Sequence, residues 1–199
     1  YVADDTSVLV FGSASTATGN IAPTRSYSVA FAIAAIFVDA ANDRLFLADQ
    51  AGQAINVYDA ISTVAAGPLT ANRTVQGANT HLGTPSGIAI DGGGRLVVTN
   101  ATARSITIFN GAATVNGNAT PAAEIVGTNT GFTTPDQIVV DTTGTGTAYN
   151  ADPGAARVAI YSNLSSTTGN VAPARAITGP GTGLSVTGQP VGIALDRTR

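Results

Sequence analysis

Apolar and polar positions alternate along most of this chain in short runs, and one run recurs: AAIFVD (34–39), SGIAID (86–91), DQIVVD (136–141) and VGIALD (191–196). Alternation with a period of two sends successive side chains to opposite faces, and Val, Ile and Phe favour the pleated conformation, so these runs predict strands. The closing aspartates Asp39, Asp91, Asp141 and Asp196 stand 52, 50 and 55 residues apart. A period of about 50 residues that holds four short strands is the pattern of a propeller blade. The fold class predicted is all-β: a β-propeller of four four-stranded blades.

The second repeat shows the elements in order. Strand a is SGIAID, and its Asp91 meets Gly92-Gly93-Gly94, where a carboxylate caps turn amides and glycine supplies the positive φ of a hairpin. Strand b is RLVVTNA (95–101), strand c RSITIFN (104–110) and strand d AAEIVG (122–127). The first repeat follows with RLFLADQ (44–50), QAINVYD (53–59) and NRTVQG (72–77). The third gives the turn TTGTG (142–146), then TAYNAD (147–152), ARVAIYS (156–162) and ARAITG (174–179). An apolar plug (Leu82, Phe132, Leu184) precedes a proline (Pro85, Pro135, Pro190) in each crossover to the next blade. The c–d connections share a phrase of their own: TGNIAPTR (18–25), NGNATPAA (116–123) and TGNVAPAR (168–175).

The fourth blade is split between the ends. Strands b, c and d are read from YVADD (1–5), SVLVFG (7–12) and PTRSYSV (23–29), and strand a from VGIALD near the C-terminus. One domain spans 1–199: blade 4 strands b–d at 1–29, blade 1 at 30–77, blade 2 at 78–127, blade 3 at 128–179 and blade 4 strand a at 180–199. Strand a either closes the ring within one molecule or completes the open blade of a neighbouring copy.

Composition narrows the setting. Only 11% of residues are charged, lysine is absent, and the net charge is −3, so no basic stripe for nucleic acid is expected. The most apolar stretch, residues 29–38, is too short to cross a membrane. A surface solvated by Thr, Ser, Asn and Gly suits a protein outside the cell, although a genome poor in lysine codons would give the same composition. No Met occurs and Tyr1 comes first, as in a processed or trimmed product. Cysteine is absent, which excludes disulfides and thiolate chemistry.

The phrases GIAID…RLVVTN…SITIFN and FVD…RLFLAD…INVYD resemble the NHL-type repeat and its relatives, the streptogramin lyase-like propellers, over essentially the whole chain. The phrase with Gly-Asn and Pro also resembles secreted bacterial propellers. The lyase relatives imply an acid–base histidine and acidic metal ligands near a central channel, which the single His81 and single Glu124 do not supply.

Other chemistry is sparse. No G-x-S-x-G elbow accompanies His81, and a loop histidine is the ordinary reading. Asp4, Asp5, Asp49, Asp152 and the strand-a aspartates offer calcium-type oxygens, but no EF-hand loop occurs and turn capping is favoured. Arg25, Arg73 and Arg175 recur at strand d, where a guanidinium bonds loop carbonyls or aspartates better than it forms an anion ring. Phe11, Tyr58, Phe109 and Tyr161 share one position of strand c and are expected in the inter-blade core. The expectation is a non-catalytic, secreted or surface module with no cofactor, metal or catalytic residue, which binds a protein partner or itself through strand edges. Glycan or small-molecule binding is the alternative, and a lyase-like enzyme the least favoured.

Overall fold

The computed structural model describes residues 1–143, 146–187 and 190–196. Part of the expected turn at 142–146 lies outside the described residues, as do positions 188, 189 and 197–199 beside and after the expected last strand a.

The described residues form four four-stranded sheets, consistent with a propeller-like all-β fold. The N-terminal sheet contains β1 (Val2–Asp4), β2 (Ser7–Val10) and β3 (Arg25–Ser28). The second contains β4 (Ile33–Asp39), β5 (Arg44–Asp49) and β6 (Ala54–Asp59), and after a short β7 (Gly67–Pro68) the outer β8 (Arg73–Gln76). The third runs β9 (Pro85–Ile90), β10 (Leu96–Asn100), β11 (Ser105–Phe109) and β12 (Ala123–Val126). The fourth runs β13 (Ile138–Asp141), β14 (Thr147–Asp152), β15 (Arg157–Ser162) and β16 (Arg175–Ile177). Neighbouring strands within each repeat pair antiparallel, as consecutive strands joined by short turns do.

Alternation determines which neighbour each side chain meets. In β5, Leu45 and Leu47 pack with Val8, Val10 and Tyr27 of the N-terminal sheet, while Phe46 and Ala48 pack with Ile88, Leu96 and Val98 of the third. In β10 the odd one out, Val97, faces the fourth sheet with Ile138, Val140 and Ala148. A middle sheet is therefore apolar on both faces, and its two-residue period serves two cores at once. Tyr58, Phe109 and Tyr161 are buried in these three cores, and Leu82 and Phe132 plug the crossovers between them.

The N-terminal sheet departs from expectation. Its fourth strand is β7, which leaves the second sheet and pairs parallel with β3, Tyr27 opposite Gly67 and Ser28 opposite Pro68. Residues 191–196, expected as its strand a, form no strand. The edge they would join, β1, is only three residues long and offers few backbone bonds.

Candidate functional site

Residues 193–195 nevertheless lie near the first strands of the sheets. Ile193, Ala194 and Leu195 line a cavity of about 280 Å³ together with residues of β4, β9 and β13, among them Ile36, Ile88 and Val140. Its walls are mostly aliphatic, and Gln137 is its polar member. The Gln137 amide is already engaged, donating from Nε2 to the Ser86 carbonyl at 3.0 Å. Beside it, burial pushes the Asp136 carboxyl above its ordinary value. An isolated Asp at the mouth of a strand gives no sequence signal of this; only the packing of β9 and β10 around residues 135–137 creates it.

The candidate acidic ligands are drawn into separate structural tasks. Asp91 Oδ1 accepts from the Gly93 and Arg95 amides at 2.9 Å each, and its Oδ2 accepts from Arg95 Nε at 2.7 Å. Asp49 accepts from the Gly52 amide at 2.8 Å, Asp141 from the Thr143 amide at 3.0 Å, and Asp39 from Asn42 Nδ2. Each closes its hairpin, the role that a short acceptor before a turn performs. Asp152 is fully buried, accepting from the Thr134 amide at 2.8 Å and from Arg157 Nη2 at 3.1 Å. Arg157 in turn donates to the Thr130 carbonyl and stands over the Phe132 ring, so the pair ties the crossover to the fourth sheet. Among the described residues no three His, Cys, Asp or Glu side chains converge as a metal site would require. Asp4 and Asp5 lie at the exposed first hairpin, and Asp196 follows the cavity-lining segment.

The recurring arginines behave differently from one another. Arg25 donates to the Ser62 carbonyl of the next sheet at 2.6 Å. Arg73 forms a two-point bond with Asp59, whose other neighbour is Arg44 at 3.1 Å. The Arg73 hydrogen bond holds the Asp59 carboxyl below its usual value, so this contact stabilises the fold above the ordinary carboxylate range and is lost on strong acidification. Arg175 is exposed on β16.

His81 and Glu124, 43 residues apart in sequence, do meet: Nδ1 lies 3.0 Å from Oε2. His81 sits in the crossover after β8 at φ 55°, and Glu124 belongs to β12 of the next sheet. The pair is on the surface, with half of the histidine open to solvent. The Glu124 backbone is held on both sides by Thr168 Oγ1. A His–carboxylate pair of this kind orients an imidazole, but catalysis also needs a nucleophile or substrate group in reach. The hydrogen bonds around it join neighbouring sheets instead.

No protein-family model matches the chain, and no curated protein matches it. Among solved structures it is similar to hydrazine synthase from Kuenenia stuttgartiensis, at 21% identity and a TM-score of 0.50, over 72% of this chain and 35% of that one. The chain thus spans about a third of that protein's length, and at this identity the likeness is one of fold. Among the described residues no helix is long and apolar enough to cross a membrane.

Proposed function

We propose that this chain is a non-catalytic propeller module of the NHL type that works outside the cell by docking protein surfaces, its own included, through sheet edges. The observation that carries this reading is the contrast between covered and uncovered edges. On the covered outer strands β8 and β12, Val75 and Ile125 are fully buried, whereas every residue of β16 is exposed and β1 is exposed at Val2 and Asp4. Unpaired edge amides and carbonyls are the groups that recruit another strand. The titratable groups that would serve chemistry are spent instead on hairpins and on bonds between sheets.

In this reading the four sheets are blades and residues 191–196 complete the N-terminal one. Support comes from the cavity that Ile193 and Leu195 line beside the first strands of the other three sheets, where a fourth strand a belongs. The low charge of the chain supports a setting outside the cell, because polar uncharged surfaces respond little to salt.

Light scattering and negative-stain imaging over a concentration series test the docking role. Particles larger than one chain are expected; a strict monomer at the highest concentration refutes self-docking. Deleting residues 191–199 is expected to lower the melting temperature or weaken assembly. If neither changes, that segment does not complete the N-terminal sheet.

A further inference from the structure

The repeated Gly-Asn phrase of the c–d connections has a use that the sequence did not disclose. In the third sheet's connection, Gly117 pairs parallel with Val75 of β8, a strand of the preceding sheet. The Gly117 amide donates to the Thr74 carbonyl at 2.8 Å, and the Gln76 amide donates to the Gly117 carbonyl at 3.0 Å. On either side, Asn116 Oδ1 accepts from the Thr74 amide and Asn118 Oδ1 from the Asn79 amide, at 3.0 and 2.7 Å.

The fourth sheet's connection repeats the device on β12. Gly169 pairs with Ile125, its amide donates to the Glu124 carbonyl, Thr168 Oγ1 accepts from the Glu124 amide, and Asn170 Oδ1 accepts from the Asn129 amide. The second sheet's variant is β7 on β3, without the asparagine. Each sheet from the second onward therefore latches onto the outer strand of the sheet before it.

That leaves one latch and one seat over. The latch is Thr18, Gly19, Asn20 and Ile21 in the N-terminal sheet. It is built like the others: Gly19 is at φ 73°, beside 64° and 83° for Gly117 and Gly169, and the Thr16 amide donates to the Ser13 carbonyl as Thr114 does to Gly111 and Ser166 to Asn163. The seat is β16 with the 3-10 turn Pro180–Thr182, and it too is formed. Thr182 Oγ1 donates to the Gly179 carbonyl at 2.7 Å, as Thr80 does to Gly77 and Thr130 to Gly127.

The apolar members mark both halves as unmated. Ile177 is 49% exposed, while its equivalents Tyr27, Val75 and Ile125 are 1%, 0% and 0% exposed. Ile21 is 43% exposed, while its equivalents Leu69, Ala119 and Val171 pack against cores. A Cβ on Gly77 or Gly127 would strike the incoming Asn118 or Asn170, whereas the space at Gly179 is open.

We propose that Thr18, Gly19, Asn20 and Ile21 of one chain latch onto β16 and the Pro180–Thr182 turn of a second copy, joining copies head to tail. By the internal precedents, Gly19 N–H donates to the Ala176 carbonyl and Thr178 N–H to the Gly19 carbonyl. Ala176 N–H donates to Thr18 Oγ1, Gly181 N–H to Asn20 Oδ1, and Ile21 covers Ile177. Because latch and seat are different surfaces, the contact is heterologous and builds rings or open filaments. Both halves are preorganised, which removes part of the ordering cost of association. The inference rests on the docking role proposed above and names its partner.

Sedimentation velocity of the full chain and of two surface variants tests it, with circular dichroism to verify folding. The latch variant carries Gly19→Val and Ile21→Asp; the seat variant carries Ile177→Arg. Each alone is expected to weaken association more than about tenfold, the loss of roughly 1.4 kcal/mol. Mixed, the two variants are expected to form a one-to-one dimer, because each keeps the half that the other lacks. Association that persists unchanged in both variants overturns the latch and leaves docking through other edges standing. A wild-type chain that stays monomeric overturns both the latch and self-docking, as it would if latch and seat closed within one molecule. If the variants lose association but the mixture also stays monomeric, the head-to-tail pairing is wrong.

Discussion

The two middle sheets and the two terminal sheets are written in the same repeat, yet they live in different surroundings. The third sheet is packed on both faces, against the second through Leu96 and Val98 and against the fourth through Val97. Its outer strand is covered by the latch at Gly169. The fourth sheet has the same strand order and the same turn after its outer strand, but Arg175–Ile177 is exposed throughout. The N-terminal sheet has β1 as an exposed edge and a latch whose Ile21 stays exposed. A repeat is thus stabilised less by its own residues than by having a repeat on each side, the nearest-neighbour behaviour of stacked architectures.

The sharpest way to break this comparison is truncation in the cores. Phe109→Ala in β11 is expected to cost about 3–5 kcal/mol, against about 0.5 kcal/mol or less for Val2→Ala, by urea unfolding. Equal costs would mean that the terminal sheets are as firmly held as the middle ones. The fourth sheet allows the same contrast within itself. Asp152→Ala strands Arg157 and is expected to cost roughly 3–5 kcal/mol, while Arg175→Ala on its open edge changes stability by less than about 0.5 kcal/mol.

Alkali gives a middle-sized effect. Burial pushes the Tyr58 and Tyr161 hydroxyls up to about 12. The unfolded chain ionises near 10, so it loses protons first, and stability falls as pH rises from about 10 toward 12. Roughly 2–3 kcal/mol per tyrosine is at stake, and Tyr58→Phe with Tyr161→Phe should flatten the alkaline limb of a melting-temperature profile. A limb unchanged in the double variant would place the cause elsewhere.

The smallest effect bears on the latches directly. Asn118→Ala removes a bond made between sheets and is expected to cost about 1 kcal/mol. Asn20→Ala, at the equivalent place in the N-terminal sheet, should cost no more than a few tenths in dilute solution. A loss of equal size at both positions would show that the first latch is already seated in the isolated chain.

Most strands are legible in the sequence alone. The run RLFLADQ forms Arg44–Asp49, RSITIFN forms Ser105–Phe109, and the short AAEIVG still forms Ala123–Val126. Their alternation is local, and so is the turn chemistry of Asp91 before three glycines. The candidate site was less legible. His81 and Glu124 lie apart in sequence and meet only because a crossover leans on the next sheet's outer strand. The pairing of β7 with β3 was also hidden, since Gly67 and Pro68 have no strand signature and bind a strand of another repeat.

The sequence by itself determined the period, the strands within it and the residues that turn between them, because each depends on neighbours a few positions away. It also displayed the recurring phrase with Gly19, Gly117 and Gly169. Only the tertiary structure decided what that phrase does, since its partners are one repeat away and its bonds are made by the backbone, which every sequence shares. It also decided that residues 191–196 do not form a regular strand, because a short edge such as β1 offers few backbone hydrogen bonds.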